Sequence, residues 1–288
     1  MTEKAEKNEM VTGGWWRHFE LAAGQAQNIQ IGPARLSLIH LEREWRVAVT
    51  RVDESSSTNV DQVFSVSPSI PAATASIDVA GFIRYASRRT VQGFRLEPGL
   101  ADRPVVCKPL NPLFVLPGDQ VELFVATPAW IRVFVNSSTD VDGISACEVP
   151  ALALTDTWIG SSTVEGELGY STRTKARLSY ADVPLRPHLV ITGVVVRNLS
   201  AEVLHLERLS LPAPYLGVFS SANNALCTEG IILEHKDARQ FAGLEIMREP
   251  LGPVGACKRI SSPRIRSEDQ GTVIRAFGSL LTQITGGV

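Results

Sequence analysis

The chain has 288 residues, a formal net charge of −2 and 44% hydrophobic residues, enough for one large or two modest domains. The near-neutral balance excludes the broad positive field behind non-specific nucleic-acid binding, and nucleic acid is not expected as a partner. The sequence contains no run of the roughly 18 apolar residues that a membrane span needs, so no membrane insertion is predicted.

The first 14 residues, MTEKAEKNEMVTGG, are polar and charged and lack the apolar region of a secretory signal. They are predicted to be a disordered tail of a bacterial cytoplasmic protein. The cysteines Cys107, Cys147, Cys227 and Cys257 form no C-x-x-C pair. They are therefore predicted to be buried thiols in a reducing compartment.

Short alternating runs dominate the first half of the chain. Residues 35–41, RLSLIHL, and 45–52, WRVAVTRV, alternate with a two-residue period and predict a hairpin of half-buried strands. Residues 76–86 and 94–98 predict further strands. In residues 112–135 a Pro-Gly-Asp turn precedes two more alternating runs, which also predict strands.

The second half has the same character. Residues 189–197 and 203–211 predict one hairpin, and residues 215–219 and 226–235 predict another. Helical spacing occurs only near the end, in GTVIRAFGSLLTQI.

These patterns predict an all-β protein with a short C-terminal helix. The predicted layout is a tail at 1–14, an N-terminal β domain at 15–139 and a C-terminal β domain at 140–288, as two packed β-sandwich-like units. One large sandwich is the alternative.

The stretch 158–180, WIGSSTVEGELGYSTRTKARLSY, is rich in hydroxyls, glycines and charges. It lacks the Lys-Ser/Thr ending of a P-loop and the G-x-S-x-G nucleophile elbow. From Tyr170 it alternates strictly, which predicts a strand with Arg173, Lys175 and Arg177 on one face. The stretch is therefore interpreted as a surface loop followed by a cationic strand.

Two interpretations of that face stay open. It is either a solvated surface that discourages edge pairing, or a contact for an anion or partner, aided by Arg186 and His188. Trp158, beside the Gly-Ser loop, is the tryptophan predicted to be exposed. The candidate binding residues are Trp158, Arg173, Lys175, Arg177, Arg186 and His188.

Catalytic signals are weak. The five histidines are scattered without metal-ligand spacing, so neither a metal site nor a cofactor is predicted. Glu165 or Glu167 could serve as the acid/base of a carbohydrate-active enzyme, with Trp158 as stacking platform. Asp140 and Asp142 are further loop carboxylates, but no spacing among these acids demands catalysis.

A family resemblance covers nearly the whole chain past the tail. The segments DTWIGSSTVEGELGYSTRTKARLSYADVP and VVVRNLSAEVLHLERLSLPAPYLGVF, in that order, resemble domain-of-unknown-function family 432, found in archaea and bacteria. The upstream segments WWRHFELAAG and PLFVLPGDQVELFVATPAWIRV extend the likeness. The resemblance implies no catalytic residues. It implies a mechanosensitive channel as possible partner, because some members are encoded beside small-conductance mechanosensitive channels.

Three functional hypotheses follow. The first is a non-enzymatic binding or regulatory module for a protein partner or an anionic ligand. The second is a hydrolytic, carbohydrate-active enzyme that uses the loop carboxylates. The third is a structural homo-oligomer, because exposed edge strands or the predicted helix could join copies of the chain.

Overall fold

The structure is a computed structural model that describes residues 9–10, 14–52, 63–74, 81–86, 92–135, 144–160, 164, 166–237 and 240–266. Most of the predicted tail, the predicted C-terminal helix, Asp140, Asp142 and Glu165 lie outside the described residues. The described residues confirm the all-β prediction, since their helices are single 3₁₀ turns at Ala72–Thr74, Tyr180–Asp182 and Ala213–Tyr215. Among them, no helix is long and apolar enough to span a bilayer.

The strands of the described residues are numbered along the chain. They are β1 (Glu9–Met10), β2 (His18–Glu20), β3 (Gln25–Ile31), β4 (Ala34–Leu41), β5 (Glu44–Arg51), β6 (Phe64–Val66), β7 (Ile70–Pro71), β8 (Ile83–Ala86), β9 (Gly93–Gly99), β10 (Val105–Pro109), β11 (Leu113–Val115), β12 (Gln120–Pro128), β13 (Trp130–Val135), β14 (Ile144–Pro150), β15 (Thr155–Ile159), β16 (Glu167–Ala176), β17 (Leu189–Asn198), β18 (Leu204–Leu206), β19 (Leu209–Leu211), β20 (Val218–Ser221), β21 (Leu226–Cys227), β22 (Ile231–Asp237), β23 (Gln240–Ile246) and β24 (Cys257–Ser261).

The chain divides into two units, and neither is continuous in sequence. The first comprises Met1–Pro98, Trp130–Leu152 and Arg186–His188, and the second comprises Gly99–Ala129, Ala153–Leu185 and Leu189–Val288. This division differs from the predicted boundary between residues 139 and 140. The strands β12 and β13 alternate in sequence as if they formed one segment. However, β12 belongs to the second unit up to Ala129, and β13 belongs to the first unit from Trp130.

The first unit is built from two sheets. In its described residues one sheet has the order β1-β6-β3-β4-β5-β8, with β7 added to β3, and the other has the order β14-β13-β9-β2. The Trp45 ring on β5 meets the edge of Phe94 on β9 at 6.3 Å between centroids. The hydrophobic side chains of both sheets therefore share one core, which is sandwich-like as predicted.

Two histidines of the first unit are core residues. His40 is 4% exposed, its Nδ1 lies 2.8 Å from the Leu21 carbonyl oxygen, and its ring stacks on Trp45. His40 is therefore a buried residue of β4 whose ring nitrogen has a backbone partner. His188 is 1% exposed and packs so closely against Gly32 that a Cβ added there would overlap the imidazole ring.

The second unit is organised around β17, whose sequence LVITGVVV is buried on both faces. In its described residues the main sheet has the order β23-β22-β17-β21-β20-β24, with β12 also paired to β17. Smaller sheets are β15-β16-β10-β19 and the ribbon β11-β18. A mostly apolar run that is buried on both faces is typical of a central strand with parallel neighbours, here β21 and β22.

The predicted hairpin of residues 189–197 and 203–211 is therefore wrong. β17 pairs with β12, β21 and β22, whereas β18 pairs with β11 and β19 pairs with β10. Asn198 ends β17 because its buried side chain holds the turn: Nδ2 donates to the carbonyls of Val115 and Glu202. The second predicted hairpin is confirmed only between β20 and β21, since β22 leaves to pair with β17.

Candidate functional site

The cationic strand predicted from sequence is β16, which lies between β15 and β10 in the small sheet of the second unit. It runs antiparallel to β15 and parallel to β10. Thr172 and Ala176 identify the buried side of β16, because they are only 9% and 1% exposed. Thr174 points to the same side and donates its hydroxyl hydrogen bond to the carbonyl of Ala126 on β12.

The other side of β16 carries charge. Arg173 and Lys175 are exposed there, as the alternation predicts. Lys108 on β10 is exposed as well and is the register partner of Lys175. The register shifts between Val106 and Lys108, where β16 contains two residues more than the matching part of β10. Because two is an even number, the side chains of the two strands still alternate in step. We call Lys108, Arg173 and Lys175 the cationic face.

The cationic face places like charges together. Paired residues on adjacent strands have Cβ atoms about 5 Å apart, a separation at which like charges repel. No carboxylate of the described residues lies within ion-pair distance of either lysine. The two lysines therefore place like charges side by side on a chain whose net charge is −2.

Arg177 lies beyond the end of β16 and is half-buried. Its backbone forms two hydrogen bonds with Phe124 of β12, of 2.8 and 2.9 Å. It lines a cleft of about 150 Å³ together with Pro109, Leu113 and Asp182. The backbone bonds fix Arg177 at the junction between the small sheet and β12, beside the cationic face.

Trp158 is 47% exposed, in agreement with the prediction. It is the register partner of Leu168, which is 43% exposed. Because Leu168 and Arg173 are separated by an odd number of positions on β16, Trp158 points to the side opposite the cationic face. On that opposite side Arg103 pairs with Asp156 at 3.5 Å.

The remaining predicted binding residues belong to the other unit. Arg186 and His188 are both assigned to the first unit, whereas β16 belongs to the second. His188 is buried at 1% exposure, so its imidazole is part of a core and not of a binding surface. The six predicted residues are thus distributed over two sides of one sheet, a junction and a separate unit.

Glu167 is the one predicted catalytic carboxylate that the structure describes. Burial raises its pKa above the ordinary value. Its Oε1 atom is buried and has no hydrogen-bond partner among the described residues. The cleft beside Arg177 does not include Glu167. Within the described ranges no group of three or more His, Cys, Asp or Glu side chains could hold a metal ion.

Comparison with protein-family models gives a match over residues 15–282 to the family described as Protein of unknown function (DUF432). The chain belongs to this family. The match confirms the family resemblance read from the sequence, and it extends from Trp15 into the segment beyond the described residues. For this DUF432 protein no curated protein and no solved structure gives a match.

Sequence reasoning missed Lys108. The tetrapeptide CKPL gives no sign that its lysine faces Lys175, which lies 67 positions later in the DUF432 chain. Only the parallel pairing of β10 with β16 reveals the juxtaposition. A local signal did exist, since Lys108 alternates with the buried residues Cys107 and Pro109 and is therefore expected to be exposed.

Proposed function

We propose that this DUF432 protein is a non-enzymatic binding module whose cationic face contacts an acidic surface of a partner protein. The observation that supports the proposal most strongly is the in-register pairing of Lys108 with Lys175. Like charges directly opposite each other destabilise a sheet, so neither lysine improves the fold at this position. An acidic partner would neutralise the repulsion on binding.

The form of the surface favours a macromolecular partner over a small anion. Small ligands bind in concave sites that bury most of their surface. Lys108, Arg173 and Lys175 are exposed side chains on the face of a sheet and do not line the cleft beside Arg177. A sheet face presents several charges at once to a second protein, which increases the association rate and the selectivity.

Capture of partners from a native lysate tests the proposal. A tagged wild-type chain is compared with the cationic-face variant K108Q/R173Q/K175Q, and co-purifying proteins are quantified by mass spectrometry. A stoichiometric partner is expected with the wild type and is expected to be lost from the variant. Mechanosensitive channels are the first proteins to look for among the captured set, because the family resemblance implies them.

A matched control variant separates the effect of removing charge at the cationic face from the effect of lowering the net charge of the protein. R35Q/R43Q/R248Q removes three exposed positive charges elsewhere and changes the net charge by the same amount. It should retain the partner. Equal capture by the wild type and both variants would contradict the proposal, and so would equal loss from both variants. Nucleic acid in place of protein in the wild-type eluate would contradict it too.

A hydrolytic function is the second candidate, and Glu167 is the observation that favours it. Glu167 is a half-buried carboxyl with a raised pKa and with one oxygen that has no hydrogen-bond partner in the described part of the chain. A group of this type can serve as a general acid. Assays with chromogenic glycosides, comparing the wild type with E167Q, distinguish this candidate. Turnover that E167Q abolishes would support it over the binding module.

A further inference from the structure

We propose that Cys227 and Cys257 are a redox-active thiol pair that closes to a disulfide when the protein meets a peroxide or a small disulfide. The two Sγ atoms lie 3.7 Å apart, in van der Waals contact. Both cysteines belong to the second unit, on β21 and β24. Both are free thiols in this structure.

The two cysteines lie on strands that are not adjacent in the sheet. β20 separates β21 from β24 in the strand order. The segment that precedes β24 packs on the sheet, where Leu251 lies over Gly193 and Gly230. At either glycine an added Cβ would meet Leu251 Cβ at 2.7 or 2.8 Å. The absence of these two side chains therefore allows the segment to pack closely.

Gly252 continues the same packing, because a Cβ there would lie 2.7 Å from the Phe124 ring. Its φ of +103° is a backbone conformation that favours glycine. The chain then reaches Cys257, whose Sγ also lies 3.5 Å from the carbonyl oxygen of Gly255. Leu251 and Gly252 thus anchor the segment that leads to Cys257 against the sheet.

The two thiols differ in access. Cys227 is 2% exposed, whereas Cys257 is half-exposed. Burial, together with the neighbouring Cys257, raises the pKa of Cys227. Cys257 is therefore the thiol that an oxidant reaches first, and Cys227 is the resolving thiol.

The chemistry balances with a hydroperoxide as oxidant. The Cys257 sulfur attacks the peroxide, the O–O bond breaks, and a sulfenic acid forms with release of water from hydrogen peroxide. The Cys227 sulfur then attacks the Cys257 sulfur, the S–O bond breaks, and a second water leaves. Two thiols are oxidised by two electrons and one peroxide is reduced. With glutathione disulfide the same pair closes through a mixed disulfide and releases two glutathione thiols.

A metal would be the other use of two adjacent thiols. A structural zinc site needs four ligands, generally from Cys and His. Within the described part of the chain, no set of three or more His, Cys, Asp or Glu residues is grouped for a metal. The pair therefore fits disulfide chemistry better than zinc binding.

The disulfide would tie β24, an edge strand of the main sheet, to β21. It would enclose the chain from residue 227 to residue 257, which contains β22 and β23. Such a cross-link limits the freedom of the unfolded chain and raises the melting temperature. In a reducing compartment the pair would stay reduced until an oxidant accumulates.

The test treats the purified full-length chain with hydrogen peroxide and, separately, with glutathione disulfide. Thiols are titrated after denaturation, and the intact mass and tryptic peptides are measured. The four free thiols should fall to two, with loss of two hydrogens in mass and a peptide that links Cys227 to Cys257. The melting temperature should rise on oxidation and return after dithiothreitol.

Two variants serve as controls. C227S should retain a glutathione adduct on Cys257 and should show no rise in melting temperature. C107S/C147S lacks the other two cysteines, which are both buried, and should still lose two thiols. Oxidation of Cys257 to a sulfinic acid while Cys227 remains a free thiol would overturn the proposal. Linkage of Cys257 to Cys107 or Cys147 would overturn it as well.

Discussion

Lys108 and Lys175 occupy paired positions on adjacent parallel strands, and both side chains are exposed on the same side of the sheet. Arg173, two residues before Lys175, adds a third positive charge to that side. The strands are held in this register by the rest of the sheet and by the bond from Thr174 to Ala126, so the charges cannot separate far. This arrangement is the basis of the proposed binding function.

Reversal of one charge should stabilise the free protein. In K175E the introduced carboxylate attracts Lys108 where the lysine repelled it, and the free energy of unfolding should rise by about 0.5 kcal/mol at low salt. The gain should shrink as salt screens the pair. Urea denaturation at low and high ionic strength measures the effect.

The control is R248E, which reverses an exposed charge elsewhere by the same amount. It should lack the salt-dependent gain. A loss of stability in K175E that does not depend on salt would show that Lys175 contributes to the fold, which removes the argument for a binding role.

Glu167 should make stability depend on pH. Burial raises its pKa in the folded state, so the unfolded chain loses the proton first as the pH rises. The carboxyl therefore lowers the stability of the folded state at pH values above the pKa of the unfolded state. It has no such effect at acid pH, where the carboxyl is protonated in both states. E167Q cannot ionise, so its melting temperature relative to the wild type should rise as the pH increases from about 3.5 through the ordinary Glu pKa of about 4.3 and above it.

The informative quantity is how the difference in melting temperature between E167Q and the wild type changes with pH. Any effect of the amide group that does not depend on pH cancels in this change. Scanning calorimetry of the two proteins over this range provides it. A difference in melting temperature that is constant with pH would mean that Glu167 titrates normally, and it would weaken the case for a general acid.

Gly32 and Gly24 form a matched pair of positive-φ glycines in the first unit, at +55° and +82°. The Cβ of an alanine at Gly24 would meet no described atom within 4 Å, whereas one at Gly32 would clash with the buried ring of His188. G24A should cost about 1 kcal/mol from backbone strain alone. G32A should cost about 3 kcal/mol or more, because overpacking adds to the strain.

Thermal denaturation of both variants measures the difference. Replacing the imidazole in G32A/H188A should recover part of the extra loss, since the clash partner is removed. Equal melting temperatures for G24A and G32A would contradict the account of His188 as a core residue packed on Gly32.

The local parts of this fold could be predicted from sequence. The β4-β5 hairpin was predictable because its strands are adjacent in the chain and alternate clearly around Trp45. The exposure of Arg173 and Lys175 was predictable for the same reason, since it depends only on the alternation of β16. The exposure of Trp158 followed from its place beside a polar loop.

The non-local parts could not be predicted. β17 pairs with strands before and after it in the chain, and its mostly apolar sequence indicates a central strand without identifying its neighbours. Lys108 lies beside Lys175 only because two strands far apart in the sequence pair with each other. Cys257 likewise lies beside Cys227 only in the folded chain. His188 looked like an accessible residue beside Arg186, because sequence position does not reveal burial in another unit.

The most direct test of the binding function is the affinity of the captured partner, purified and titrated by calorimetry against the wild type and both triple variants. We expect K108Q/R173Q/K175Q to weaken binding by about tenfold or more, because it removes the positive charges of the cationic face from the interface. R35Q/R43Q/R248Q should bind as the wild type does, and wild-type affinity should fall as salt rises. Equal affinity of the wild type and the cationic-face variant would contradict the account.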